Sequence, residues 1–176
     1  PAKPEAPTAT DNVGDTTGAI EPGSKTDDAT PTFNGEGDAG DTIIIKDGDQ
    51  VIGSTVVDAD GKWEWTPETD LSEGEHSITI IEKDEAGNES EPSDAIEFTV
   101  DTIAPALANV SITDNVGAVT GSLKDGDITD DNTPTFSGQA EANGMVIIYN
   151  GDDVIGSAKA DANGDWTFTP DTLADG

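Results

Sequence analysis

The chain has 176 residues, with 38 acidic and 7 basic side chains, a formal net charge of −31 and no cysteine. Nucleic acid is excluded as a partner, because phosphate binding requires clustered Lys and Arg. Membrane insertion is not expected either, because no run approaches the roughly 18 apolar residues of a spanning helix. A charge of this size disfavours a compact state unless something offsets it, and bound divalent cations are one candidate.

Short alternating strands recur along the chain, whereas an apolar period of 3.6 residues is not sustained anywhere. The aromatic residues recur in fixed register, which favours folded β-structure over the disorder that high charge otherwise indicates. Seven strands are predicted in the first part of the chain, near 6–10, 30–35, 42–46, 50–57, 62–66, 76–82 and 95–100. Five recur in the second part, near 108–113, 133–138, 145–150, 153–160 and 165–169.

The sequence is written nearly twice. The stretch from Thr10 to Pro67 aligns without a gap with the stretch from Thr113 to Pro170, and more than half of the paired positions are identical. A duplication at this spacing predicts a tandem array of one small domain. Seven short strands in about 100 residues indicate an immunoglobulin-like sandwich. We therefore expect an all-β chain of two such sandwiches with seven strands per repeat, at 1–103 and 104–176.

The second repeat is expected to be incomplete, because the sequence ends where the counterpart of Glu75 should begin. Its last two strands are then missing, and the chain is expected to be a fragment of a longer protein.

Alternation along the strands predicts which residues form the core. Trp63 and Trp65 share one side of a strand, with charged or polar neighbours on the other, and Trp166 and Phe168 repeat the pattern. This is typical of half-buried strands. The competing interpretation is an exposed aromatic platform that binds carbohydrate.

Acidic side chains cluster at the predicted loops and at the linker. Carboxylate and amide oxygens are the ligands that Ca²⁺ prefers, and the first loop and the linker lie at the same end of a seven-strand sandwich. The competing interpretation is that each Asp is a turn residue, and it is favoured for 58–61 and 161–164. The predicted calcium ligands are Asp11, Asp27, Asp28, Asp84, Asp101, Asp114, Asp130 and Asp131.

The motifs TDNVG, TDDNTPTFSG, VIGS, DANGDW and the DEAGN loop, in this order, resemble the bacterial immunoglobulin-like repeats of giant secreted adhesins. These include the biofilm-associated proteins and the large repeats-in-toxin adhesins. The resemblance implies a structural extender module, located outside the cell at the bacterial surface and rigidified by calcium near domain junctions. Its partners are then adjacent repeats of the same chain, while contact with a host or biofilm surface belongs to other regions.

An enzyme is not expected. His76 is the only histidine, and no nucleophile elbow, phosphate-binding loop or HExxH motif occurs. Two other functions stay open, a carbohydrate- or protein-binding immunoglobulin-like module and a linker domain of a secreted polysaccharide-degrading enzyme. Exposed aromatic residues in a row would favour the first, and a flanking catalytic domain the second.

Overall fold

The computed structural model describes residues 1–176, and the chain is all-β. It divides into two units, Pro1–Ile103 and Ala104–Gly176. The structure contains no helix that could span a lipid bilayer.

Unit 1 is a sandwich of two sheets. The first has the order β2-β1-β4-β7 and the second the order β3-β9-β8-β5-β6. All pairings are antiparallel except that between β3 and β9. The strands are β1 (Thr8–Asp11), β2 (Gly18–Ala19), β3 (Lys25–Thr26), β4 (Thr32–Glu36), β5 (Thr42–Asp47), β6 (Gln50–Val56), β7 (Lys62–Trp65), β8 (Gly74–Lys83) and β9 (Ile96–Val100).

The prediction of a tandem immunoglobulin-like sandwich is confirmed, but unit 1 has nine strands where seven were expected. The two additional strands, β2 and β3, have two residues each. Such strands are too short to show an alternating pattern. The pairing of β3 with β9 also joins residues far apart in the chain, Lys25 with Thr99, which no local signal reveals.

The core of unit 1 lies between the two sheets. Its largest fully buried side chains include Phe33 and Phe98, two isoleucines of β5 and two of β8, namely Ile43, Ile45, Ile78 and Ile80. Trp63 is buried, while Trp65 is partly buried and stacks on Phe33 with ring centroids 6.0 Å apart. The prediction that Trp63 and Trp65 face the core is therefore confirmed, and the pair offers no aromatic platform.

Unit 2 has one four-stranded sheet and one two-stranded sheet. The first has the order β11-β10-β12-β15, and the second contains only β13 and β14. The five predicted strands are present, and the three-residue β11 is additional. The strands are β10 (Ala108–Asp114), β11 (Gly121–Leu123), β12 (Thr135–Gln139), β13 (Met145–Asn150), β14 (Asp153–Lys159) and β15 (Asp165–Phe168).

The core of unit 2 is much smaller than that of unit 1. It consists of Val146, Ile148, Ala160 and Trp166, with Phe168 and other apolar side chains packed partly against it. No strand of unit 2 corresponds to β3, β8 or β9. The apolar faces that those strands cover in unit 1 therefore remain partly open to solvent in unit 2.

Candidate metal centre

Asp11, Thr26 and Asp28 form a buried polar network at one end of unit 1. Thr26 Oγ1 donates to Asp11 Oδ2 over 2.6 Å and accepts from the backbone N–H of Asp28 over 3.1 Å. Asp28 is 1% exposed, and its carboxylate accepts backbone N–H groups from Asn12 at 2.9 Å and Thr30 at 2.8 Å. Protein donors thus satisfy both of these predicted metal ligands, as buried carboxylates require.

Unit 2 repeats this network almost bond for bond. Thr129 donates to Asp114 over 2.6 Å, and the carboxylate of Asp131 accepts from Asn115 at 2.9 Å and Thr133 at 2.8 Å. The backbone N–H of Asn115 is the largest cause that lowers the pKa of Asp131. Each unit therefore has one Asp–Thr–Asp network, Asp11–Thr26–Asp28 in unit 1 and Asp114–Thr129–Asp131 in unit 2. The network holds the first loop of its unit against the segment that precedes β4 or β12.

The acids between these network residues are exposed. Asp27 lies over Gly14 in unit 1, and Asp130 lies over Gly117 in unit 2, where an added Cβ would collide with the carboxylate. Both glycines have positive φ, 69° and 75°. These two loops therefore require glycine for its conformation and for the space that the aspartate occupies.

Asp101 joins the same end of unit 1. Its backbone N–H donates to the carbonyl of Thr26 over 2.9 Å, and its carboxylate accepts from Lys25 Nζ over 2.8 Å. The hydrogen bond from Lys25, followed by its charge, lowers the pKa of Asp101. The structure thus brings Asp101 to Asp11 and Asp27 around one open cavity, but Lys25 supplies the positive charge that was assigned to a metal.

Asp84 lies away from these acids. It follows β8, which begins opposite Val100 and ends opposite Thr42, at the other end of unit 1. Its carboxylate accepts from the side chain and the backbone N–H of Asn88, both over 2.8 Å, and the side-chain bond is the largest cause that lowers the pKa of Asp84. Asp84 therefore shapes the loop 84–88 and shares no set of ligands with Asp101.

Three carboxylates that were not predicted from the sequence as metal ligands converge at this other end of unit 1. Carboxylate oxygens of Asp38, Asp41 and Glu82 all lie within 4.8 Å of one another. Glu82 projects inward from β8, at the position where the alternation of His76, Ile78 and Ile80 predicts an apolar residue. A carboxylate at an inward strand position was the signal available in the sequence.

Glu82 is 5% exposed and has no basic partner. One carboxylate oxygen accepts the backbone N–H of Asp38 over 2.5 Å. Burying a carboxylate beside two others is costly unless a cation or a proton offsets the charge. Three carboxylates from two segments provide the hard oxygen donors of a calcium site, so the residues present fit this ion.

The segments 58–61 and 161–164 are tight turns, as predicted, and each connects strands of two different sheets. Asp58 accepts from the backbone N–H groups of Asp60 and Lys62, and Asp161 does the same for Asn163 and Asp165. These carboxylates stabilise turns through local bonds.

His76 is buried between the end of β5 and the chain before β8. Nδ1 lies 2.6 Å from a carboxylate oxygen of Asp47, and Nε2 lies 2.7 Å from the carbonyl oxygen of Ser72. Through its two ring nitrogens, His76 therefore links the end of β5 to the segment before β8.

Comparison with known families agrees with this architecture. The model of the bacterial Ig-like domain family matches residues 3–102 and, a second time, residues 106–176. No curated protein matches the chain. Two matches that together cover nearly all of the sequence place it in one family: the chain belongs to the bacterial Ig-like domain proteins and carries two of these domains in tandem.

Proposed function

We propose that the chain is a structural extender module of a bacterial cell-surface or biofilm adhesin, stiffened by calcium. The observation that carries the proposal is the repetition itself. Two bacterial Ig-like domains follow one another, and only residues 101–107 separate β9 from β10. A short connection with one proline is a poor flexible tether. Repeated modules joined in this way suit a protein that sets a distance, and domains of this family are common in surface and extracellular proteins.

Calcium would act by offsetting acidic charge. Unit 1 carries three converging carboxylates at the end that holds Glu82, and Asp11, Asp27 and Asp101 at the end that leads into the linker. Of these groups, the one around Glu82 suits a cation better, because no lysine lies in it, whereas Lys25 already pairs with Asp101. A cation held by Asp38, Asp41 and Glu82 would tie the β4–β5 turn to β8.

Thermal melts of the whole chain test this proposal. An ion that binds only the folded state stabilises it by about 2.7 kcal/mol at a hundredfold excess over its Kd, so calcium should raise the Tm of unit 1. Glu82→Gln removes one charge with little change of shape and should abolish the rise. Glu97→Gln, at an exposed position of β9, is the matched control and should keep it.

The possible outcomes separate the sites. A calcium-dependent rise that survives in Glu82→Gln but disappears in Asp101→Ala would move the ion to the linker end of unit 1. Equal effects of calcium, magnesium and sodium would leave only charge screening. Small-angle scattering then tests the extender role. If an ion at Asp101 stiffens the linker, chelation should shorten and broaden the distance distribution of the chain. An ion held only by Asp38, Asp41 and Glu82 lies at the opposite end of unit 1, and its removal should leave the distribution unchanged. An unchanged, extended profile in chelator would contradict stiffening of the linker by calcium.

A further inference from the structure

The only histidine of the chain contacts the segment before β8 from the inside of unit 1. His76 lies at an inward position of β8, its side chain is 5% exposed, and its ring packs on that of Phe98 with centroids 5.8 Å apart. Nδ1 lies 2.6 Å from a carboxylate oxygen of Asp47, and Nε2 lies 2.7 Å from the carbonyl oxygen of Ser72. Ser72 is the middle residue of the segment 71–73, which we call the strap.

Both partners of the ring are hydrogen-bond acceptors. A carbonyl oxygen has no proton to donate, and the other carboxylate oxygen of Asp47 accepts the backbone N–H of Ser77 over 3.0 Å, as an ionised carboxylate does. A neutral imidazole has one N–H and one lone pair, whereas the imidazolium ion donates from both nitrogens. Only the charged ring therefore satisfies Asp47 and Ser72 together.

The charged groups beside the ring are all acidic. Two open cavities border the ring, one beside β9 and one beside the strap, and no lysine lines either of them. The acids that line them lie on β5, β8, β9 and the connection from β7 to β8, and they are Asp47, Glu75, Glu97, Glu68 and Asp70. A positive charge on the ring is therefore the charge that these surroundings attract, and the cavities give the ring access to water.

The strap is attached to unit 1 at three points. Leu71 donates its backbone N–H to the carbonyl of Ala29 over 2.8 Å and packs against the core. The second point is the contact with the histidine. At the third, the carboxylate of Glu73 accepts the backbone N–H of Thr102 over 3.1 Å and also the hydroxyl group of that residue. Thr102 follows β9, so the strap connects the buried histidine with the residue at which the chain leaves unit 1.

We propose that His76 is a pH-sensitive contact, which holds the strap while the ring is charged and releases it when the ring loses its proton. A neutral ring keeps the Nδ1–H bond to Asp47, because a hydrogen bond to an ionised acceptor is the stronger of the two. Nε2 then presents a lone pair to the carbonyl oxygen of Ser72, and two acceptors at this distance repel each other. The proton itself passes to solvent.

The sign of the pH dependence follows from this exchange. The bond to Ser72 is present while the ring is protonated and is lost as the pH rises, and histidines commonly change charge between about pH 5 and 8. Release of Ser72 loosens the neighbouring Glu73, and Thr102 then loses the carboxylate that holds it. The device lies within unit 1 and does not depend on calcium.

Amide hydrogen exchange, measured beside the titration of the ring, tests the proposal. Because the chain has one histidine, the ring nitrogens of an isotopically labelled chain report its proton directly by NMR. The titration is run in chelator and upwards from about pH 5.5, where carboxylates stay ionised. As the ring loses its proton, the protection factor of the Leu71 amide should fall about tenfold, the usual effect of one lost hydrogen bond to a charged group. The Asp58 amide, which bonds to the carbonyl of Lys62, should keep its protection.

Two matched substitutions place the charge. Asp47→Asn keeps an oxygen acceptor for Nδ1 but removes the negative charge, so the strap should be released at lower pH. Asp49→Asn, at an exposed position of the same turn, makes the same change of charge and should move the release much less. His76→Gln has no charge to lose and should make the protection of Leu71 independent of the state of any ring. If that variant does not fold, the two aspartate variants still give the test.

Four results would overturn the proposal. The first is a ring with a single N–H at the acid end of the titration, and the second is constant protection of Leu71 while the ring loses its proton. The third is an equal fall at Asp58, because the whole unit and not the strap would then loosen. The fourth is an equal shift of the release in Asp47→Asn and Asp49→Asn.

Discussion

The two units share their polar network but differ in their core, and the difference separates what local sequence dictates from what distant strands supply. The Asp–Thr–Asp networks of the two units agree to within about 0.1 Å in each equivalent bond between donor and acceptor. All of their bonds join residues at most 16 positions apart in the chain, so they involve neither β8 nor β9. Twelve buried apolar residues form the core of unit 1 and four that of unit 2, because burial depends on β8 and β9.

The largest test of this difference removes the equivalent tryptophans. Trp63→Ala should destabilise unit 1 by about 3–5 kcal/mol, the usual cost of truncating a buried aromatic side chain. Trp63 also donates its indole N–H to the carbonyl of Glu36 over 3.3 Å. Trp166 is buried, but its indole N–H has no acceptor, and only a small core surrounds it.

Trp166→Ala should therefore cost less than Trp63→Ala. Hydrogen exchange resolved along the chain measures the two units separately. Equal losses of protection would show that the β13–β14 sheet already supplies unit 2 with a full core, and would contradict the comparison.

The tryptophans also show which parts of the fold can be predicted from the sequence. Alternation identified the inward faces of β7 and β15 and every strand of four or more residues. The pairing of Lys25 with Thr99 could not be predicted, because a two-residue strand carries no period and its partner lies far along the chain. Local pattern determines which face of a strand is buried, and topology determines which short segments become strands.

Prediction of the site was less complete, for a physical reason. The acidic clusters that contain Asp11, Asp27, Asp28 and Asp101 were recognised in the sequence. The structure brings Asp11, Asp27 and Asp101 to one cavity, and hydrogen bonds to Asn12 and Thr26 hold Asp28 at the same end of unit 1. Whether a carboxylate is available to a metal depends on its donors, and the backbone N–H groups that reach Asp28 are visible only in the fold. Conversely, Glu82 comes close to Asp38 and Asp41 only when the sheet has formed. Calcium binding by any of them stays a prediction.

The second test separates two neighbouring acids with different surroundings. Asp28→Ala leaves the backbone N–H groups of Asn12 and Thr30 without their acceptor, and an unsatisfied buried group costs about 1–3 kcal/mol. Asp27→Ala removes the same charge from an exposed side chain and should change stability by no more than about 0.5 kcal/mol.

Denaturant unfolding in chelator measures both variants. A similar loss for the two would mean that their charge, and not the hydrogen-bonded network, is what stabilises the loop. A loss for Asp27→Ala that appears only with calcium would make that residue a metal ligand.

The third test uses pH on unit 2. Hydrogen bonds from the backbone N–H of Asn115, followed by those from Thr133, lower the pKa of Asp131 in the folded unit. The folded state therefore binds this proton less readily than the unfolded chain, so the carboxylate stabilises unit 2 above the unfolded value of about 3.9. That contribution should be lost as the pH falls through 3.9 and on through the lower folded pKa.

Hydrogen exchange over residues 113–133, compared between neutral pH and pH values around and below 4, follows this loss. Asp131→Asn should weaken protection at neutral pH and flatten its acid dependence. Asp175→Asn, at an exposed terminal position, changes the charge equally and should leave both unaltered. If acid does not reduce protection in this segment, the network contributes little to unit 2.

The smallest expected effect concerns the position at which the two units differ beside their shared network. Unit 1 has Lys25, which pairs with Asp101, and unit 2 has the almost fully exposed Ile128 at the equivalent place. The side chains of Lys25 and Asp101 are 64% and 31% exposed, and ion pairs at such sites stabilise proteins little. Lys25→Ile, which gives unit 1 the residue of unit 2, should lower the Tm slightly at low salt. The loss should shrink at about 1 M salt, where the Debye length is near 3 Å. Asp101→Ala should behave in the same way if the lysine is its partner, and the double variant should then lose less stability than the sum of the two single variants.

The expected result is different if Asp101 is a metal ligand. In that case Asp101→Ala abolishes the calcium-dependent rise in Tm, and Lys25→Ile enlarges it, because removing the ammonium group leaves the carboxylate free for the ion. The sign of the change in Lys25→Ile with calcium therefore decides whether Asp101 serves the fold through Lys25 or serves a cation in its place.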